Sequence, residues 1–269
     1  MAANAGRRVD PTVDARSPSV WRSWLEQLGR NEQARLAEFG VILVGGFVAA
    51  ALLLYAFAWL ATEVLEQDTQ AIDMGTLNFL QRFSSPQLTW LAQGVSLMGS
   101  QVVIALGAAL LVVFFWQRRW GAAVSLILVT AGAQLLNDVL KEAFHRARPV
   151  PVAGFVDAQQ FSFPSGHAMV SAAFYLYLAY LSWRLVRSHW RRTLMGGALV
   201  VLVLLIGLSR LYLEAHYLSD VIAGYLAGVL WTDSVVLGGQ VLALRTQPRP
   251  PTVVASAPEA AGPPPPPPP

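Results

Sequence analysis

The chain of 269 residues contains no cysteine. Disulfides, thiolate metal sites and thiol nucleophiles are therefore excluded. Charge is also scarce: 13% of residues are charged against 55% hydrophobic, and the mean hydropathy is +0.47. That balance is a membrane composition, not that of a soluble core. Lysine is almost missing, with Lys141 alone among 19 basic residues. No secretory signal peptide is evident, because residues 1–38 are polar and the first apolar run is too long for a signal h-region.

What the chain does have is long apolar runs. Six occur, with approximate limits Phe39–Ala61, Gly99–Trp116, Trp120–Leu140, Gly166–Val186, Thr193–Leu213 and Tyr217–Gly239. As helices each is roughly 27–35 Å long, close to the thickness of a hydrocarbon core. Trp59, Trp116, Trp120, Trp183 and Trp190 lie at or near their ends, where aromatic belts belong. Between the first two runs, Met74, Leu77, Leu80 and Phe83 predict a shorter amphipathic surface helix or lid, broken at Ser85-Pro86.

Arginine placement orients the runs. Arg7, Arg8, Arg16, Arg22, Arg30 and Arg35 precede the first, and Arg118 and Arg119 separate the second from the third. Arg184, Arg187, Arg191 and Arg192 separate the fourth from the fifth, and Arg245 and Arg249 follow the sixth. With six spans all of these fall on one side, which the positive-inside rule makes cytoplasmic. The reading is an all-α polytopic membrane protein: a six-transmembrane-helix bundle over residues 39–244 with both termini cytoplasmic.

Residues 1–38 then form a cytoplasmic segment. In it Ser17-Pro18 opens a helix bearing Trp21, Trp24, Leu25 and Leu28, lying in the membrane interface or simply solvated. Residues 245–269 read as a disordered Pro-rich tail.

Basic residues left on the outer side need a reason, and three stretches there supply candidates. Ser209-Arg-Leu-Tyr-Leu-Glu-Ala-His-Tyr-Leu-Ser-Asp220 separates the last two runs. His216 and Asp220 are four apart, so on a helix they would share one face, and a carboxylate beside a histidine steadies its tautomer and its cationic form. Lys141-Glu-Ala-Phe-His-Arg-Ala-Arg148-Pro149 ends the third run. Lys141 and Arg148, two helical turns apart, can converge on one anion, and Pro149 ends the helix near Arg148.

Phe163-Pro-Ser165-Gly-His167 opens the fourth run. Ser165 is a good N-cap, Gly166 admits a ligand close to the backbone, and the free N–H groups of the first turn form an anion cradle beside His167. Each stretch alone has a plainer reading, as snorkelling charge, a helix start or a loop facing water. Together, on one face, they describe a site.

In that order, Lys-x6-Arg-Pro, Pro-Ser-Gly-His and Ser-Arg-x5-His-x3-Asp resemble the three signature motifs of the type-2 phosphatidic acid phosphatase superfamily. The motifs cover residues 141–220, and the six-run pattern extends the likeness over about 39–240. The resemblance implies that His216 attacks phosphorus, Asp220 orients its imidazole, and His167 protonates the leaving oxygen and then activates water. It implies that Lys141, Arg148, Ser165, Gly166 and Arg210 hold the phosphoryl oxygens, with Ser209 in support. No metal and no cofactor is called for.

The partners implied are the lipid bilayer and a membrane lipid phosphate, with no nucleic acid. The placement implied is the bacterial plasma membrane, with the site on its outer side. Undecaprenyl pyrophosphate, phosphatidate and phosphatidylglycerophosphate are all candidate substrates.

Two departures from the family pattern stand out. Glu214 lies where a small residue is usual, and Leu218 where proline is. Glu214 either tunes the pocket or faces water. His145 reads as a solvated loop residue, Asn137 and Asp138 as hydrogen-bonding residues near Lys141, and Gly224-x3-Gly228 as a close helix contact. The rival classes are a metal hydrolase built on His167, His216 and Asp220, a transporter, and a lipid-binding protein without hydrolysis.

Overall fold

The computed structural model describes residues 18–149 and 161–245, with side chains described for 40–149 and 161–243. The side chains of the expected interfacial helix and the expected disordered tail lie outside these. Among the described residues all regular structure is helical, in the order α1 (Pro18–Leu65), α2 (Gln70–Gln81), α3 (Pro86–Leu97), α4 (Gln101–Trp116), α5 (Trp120–Phe144), α6 (Gly166–Leu185), α7 (His189–Tyr212) and α8 (Leu218–Arg245).

Five stretches are long and apolar enough to cross a membrane: Gly40–Leu65, Pro86–Trp116, Trp120–Phe144, His189–Tyr212 and Leu218–Ala243. The second joins α3 to α4, so the apolar run expected from Gly99 begins earlier. The cause is local. Ser85 is extended and its hydroxyl accepts the Leu88 N–H at 3.3 Å, with Pro86 in the first turn, so the predicted break at Ser85-Pro86 is also a helix start.

Helix α6 is not among these five stretches, and much of it is buried within the bundle. It packs against α5, α7 and α8, and Ala168, Met169, Ala172, Ala173 and Phe174 are wholly buried. A helix sheltered this way can carry tyrosines, provided their hydroxyls find partners. Tyr175 donates to the Met98 carbonyl at 2.6 Å and Tyr177 to that of Ala122 at 3.3 Å.

The α6–α8 contact rests on the predicted pair of glycines. A Cβ at Gly224 would lie 2.7 Å from the Ser165 carbonyl oxygen, and one at Gly228 would lie 2.5 Å from that of Met169. Backbone cannot step aside, so only glycine lets the two helices approach this closely. Because Gly224 abuts Ser165, this packing also sets where the N-terminus of α6 sits.

Outside the bundle, α2 packs across α7 and α8. Of its expected apolar face, Leu77 is buried and Leu80 packs on the core, while Met74 and Phe83 remain exposed. The tryptophans expected at helix ends are all exposed.

Candidate active site

Five of the predicted residues line one cavity of about 720 Å³: Lys141 from α5, Gly166 and His167 from the start of α6, Arg210 from the end of α7, and His216 from the α7–α8 turn. Ser96 of α3 and Asn137 of α5 share its wall. These positions are the C-terminal ends of α5 and α7 and the N-terminal end of α6, so the chain reversals bring them to the same end of the bundle.

Lys141 remains on its helix, but Arg148 does not. The sequence predicts a helix reaching nearly to Pro149, whereas α5 ends at Phe144. His145 adopts the left-handed conformation (φ 48°) and donates its N–H to the Lys141 carbonyl at 3.1 Å. Arg148 therefore reaches the site along an irregular segment, and its Nη1 donates to the Ala215 carbonyl at 3.0 Å. It braces the residue before His216 and is not on a shared helix face with Lys141. His145 itself is exposed, as expected, with its ring edge-on to Phe161.

At the opening of α6, Asn137 Nδ2 donates to the Pro164 carbonyl at 3.3 Å. A Cβ on Gly166 would meet Asn137 Oδ1 at 2.9 Å. The glycine thus admits this buried amide as well as a ligand. The Ser165 N–H donates to the Asp220 carbonyl at 3.0 Å, which ties the second motif to the third. Its hydroxyl is buried and has no hydrogen-bond partner among the described residues, the state expected of a donor reserved for an anion.

His216 is buried, and its Nδ1 lies 2.9 Å from the Ser162 carbonyl oxygen. A carbonyl can only accept, so Nδ1 carries the proton and Nε2 keeps its lone pair. Asp220 Oδ2 is 3.6 Å from Nδ1, too long for a hydrogen bond yet close enough for charge to act. Burial pushes the His216 imidazole below its ordinary range, with Asp220 acting in the opposite direction.

Asp220 is itself bound on both oxygens. Oδ1 accepts Arg146 Nη1 at 2.6 Å; Oδ2 accepts the Tyr217 N–H at 2.9 Å and the Ser162 hydroxyl. Burial works against the Arg146 charge, but Asp220 and Asp73 outweigh it and hold the guanidinium above its ordinary value.

Arg146, Ser162, Asp73 and Ser96 were not singled out from the sequence. Ser96 accepts Arg210 Nη1 at 2.9 Å. Asp73, Arg146 and Ser162 lie 54 to 146 positions from the residues of the third motif that they touch, so no local spacing could reveal them. Ser209, predicted to assist, turns its hydroxyl back to the Ile206 carbonyl at 2.6 Å. Glu214 is half-buried and left-handed at φ 52°, a conformation that favours glycine over any residue with a Cβ.

Residues 122–239 match the family model described as PAP2 superfamily. The chain is 31% identical over 183 residues to phosphatidylglycerophosphatase B of Bacillus subtilis (strain 168), covering 65% of this chain and 86% of that one. It is 33% identical over 138 residues to glucose-6-phosphatase 3 of Rattus norvegicus, across 44% of this chain and 39% of the relative. Among solved structures, a transmembrane PAP2-type phosphatidylglycerolphosphate phosphatase from Bacillus subtilis superimposes with a TM-score of 0.63. Its sequence identity is 27%, over 74% of this chain and 97% of the other. Motifs, fold and relatives therefore agree, and the chain belongs to the PAP2 superfamily as an integral membrane phosphatase.

Proposed function

We propose that this phosphatase hydrolyses a lipid phosphate or diphosphate at the outer face of the membrane, through a phosphohistidine on His216 and without a metal. The observation that carries this reading is the pairing of His216 Nδ1–H with the Ser162 carbonyl. It leaves Nε2 as the nitrogen with a lone pair, on a residue that lines the cavity beside Lys141, His167 and Arg210.

In the first step Nε2 attacks phosphorus, the bond to the leaving oxygen breaks, and His167 delivers the proton that oxygen needs. In the second, His167 takes a proton from water as the water oxygen attacks phosphorus, and the P–N bond breaks to release phosphate. Lys141, Arg148 and Arg210, with Ser165 and the Gly166 amide, neutralise charge on the phosphoryl oxygens through both steps. Asp220 steadies the imidazolium formed on His216.

A lipid substrate is favoured by the cavity wall. Leu97 and Ile104 line it and are exposed, so the site carries open apolar surface of the kind an acyl chain needs. Phosphatidylglycerophosphate, phosphatidate and undecaprenyl pyrophosphate all fit a site that recognises the phosphoryl group. The topology that suits this reading counts α6 as a sixth span beside the five lipid-compatible stretches, with both termini and the arginine-rich turns cytoplasmic, in a bacterial plasma membrane.

Purified protein in detergent tests the proposal. It should release phosphate from lipid phosphates much faster than from hexose phosphates, and His216→Ala should abolish release. Substrate labelled at phosphorus should leave transient label on His216. Equal rates on the two substrate classes, or an active His216→Ala protein, would overturn the reading.

A further inference from the structure

Helix α2 belongs to none of the three motifs, yet it sends one side chain into the site's foundations. Asp73 is 1% exposed on a helix that is otherwise mostly open. A buried carboxylate is unstable unless partners offset its lost hydration, and Asp73 has three. Oδ1 accepts the Ser219 N–H at 2.9 Å, and Oδ2 accepts the Ser219 hydroxyl at 2.6 Å and Arg146 Nη2 at 2.8 Å. Arg146 in turn donates Nη1 to Asp220 Oδ1 at 2.6 Å and to Ser219 Oγ at 2.7 Å, and its guanidinium lies 4.4 Å from the centre of the Tyr217 ring. Its backbone carbonyl accepts the Ser162 N–H at 2.7 Å, and Ser162 is the residue whose carbonyl holds His216.

We propose that Asp73 and Arg146 are positioning residues for the phosphatase reaction, holding Asp220 and Ser162 so that His216 is kept aimed and its positive form is stabilised. This rests on the reading of His216 as the nucleophile. Geometry and charge both support it. Arg146 touches both supports of the His216 ring, Asp220 through its side chain and Ser162 through its backbone. Asp73 fixes Arg146 from the far side and pins Ser219, the neighbour of Asp220, at the first turn of α8. A negative group there also suits the positive end of the helix dipole.

Charge acts in the same direction. The groups acting on His216 include Asp220 as the negative one and Arg148 and Arg210 as positive ones, with Lys141 and His167 on the same cavity. Arg146 alone would cancel Asp220. Asp73 supplies a second negative charge, so the trio of Asp73, Arg146 and Asp220 stays net negative toward an imidazolium forming on His216.

The test is steady-state kinetics on a short-chain lipid phosphate with detergent-purified Asp73→Asn, Asp73→Glu, Arg146→Lys and Ser219→Ala, each checked for folding by thermal unfolding and monodispersity. Folded Asp73→Asn should lose about tenfold or more in kcat with KM within about threefold, the pattern of an interaction that matters only in the transition state. Asp73→Glu, which restores the charge, should recover part of that kcat.

Folded Asp73→Asn with the kcat of the unmodified protein, or a rise in KM alone, overturns the proposal, as does Asp73→Glu no better than Asp73→Asn. Should Asp73→Asn fail to fold, Arg146→Lys and Ser219→Ala decide, and full kcat in both overturns it. Phosphate release that persists in His216→Ala strikes the nucleophile reading itself and is read separately from the Asp73 series.

Discussion

Asp220 Oδ2 accepts the backbone N–H of Tyr217, three residues upstream, at 2.9 Å. This is the reach-back half of a capping box at the start of α8, so one carboxylate serves both the helix and the histidine. Asp220→Asn keeps an acceptor for the cap but loses the charge. It should retain most of the stability while kcat falls about a hundredfold or more. Asp220→Ala should lose the activity and also about 3–5 kcal/mol of stability, because the cap goes together with the buried partner of Arg146. Thermal unfolding and phosphate release, measured on both variants, separate the two roles.

The lowered basicity of His216 sets a pH profile. Burial pushes the imidazole down and Asp220 partly opposes this. A nucleophilic imidazole must be neutral, so kcat/KM should hold as pH falls past the ordinary histidine value of about 6.5. The acid limb should appear only below it. Asp220→Asn removes the opposing influence and should move that limb lower still. An acid limb above the ordinary value in the unmodified protein would contradict this arrangement.

Gly228→Ala and Gly224→Ala place a methyl against backbone oxygens at 2.5 and 2.7 Å respectively. Each should cost about 1–3 kcal/mol as α6 and α8 are forced apart. Gly224→Ala should also reduce kcat in the folded fraction, because the oxygen it strikes belongs to Ser165. Unfolding midpoints and specific activity per folded molecule check the difference.

Glu214→Gly should raise stability. The residue sits at φ 52°, where a side chain costs about 1–2 kcal/mol that glycine avoids. A gain of about 1 kcal/mol with activity retained is expected; a lower unfolding midpoint would show that the contacts of the glutamate outweigh its backbone strain.

The proposed mechanism gives positive side chains the part a metal plays elsewhere, and on that reading chelators should leave activity unchanged. Vanadate, an analogue of the pentacoordinate phosphorus, should inhibit. Measuring phosphate release with a chelator and with vanadate in parallel checks both.

Apolar helix length and arginine asymmetry are local properties, and they were legible from the residues alone. So were Pro-Ser-Gly-His as a helix start and the glycine pair on α8, because each depends on neighbours within a turn or two. Helix α3 was legible in principle from Ser85-Pro86, the same signal already read at Ser17-Pro18. The end of α5 was not: a histidine in the left-handed conformation is one of several allowed stops, and it moved Arg148 off the helix.

Composition and motif spacing by themselves determined the class of the chain and brought forward candidate residues, five of which the fold gathers around one cavity, because they sit at or next to helix ends whose positions the apolar runs dictate. Only the tertiary structure decided what stands behind them. Asp73 meets Ser219 across 146 positions, and Arg146 meets Asp220 across 74. Contacts of that reach arise from how helices stack, and a buried charge declares its partner only once the chain has folded around it.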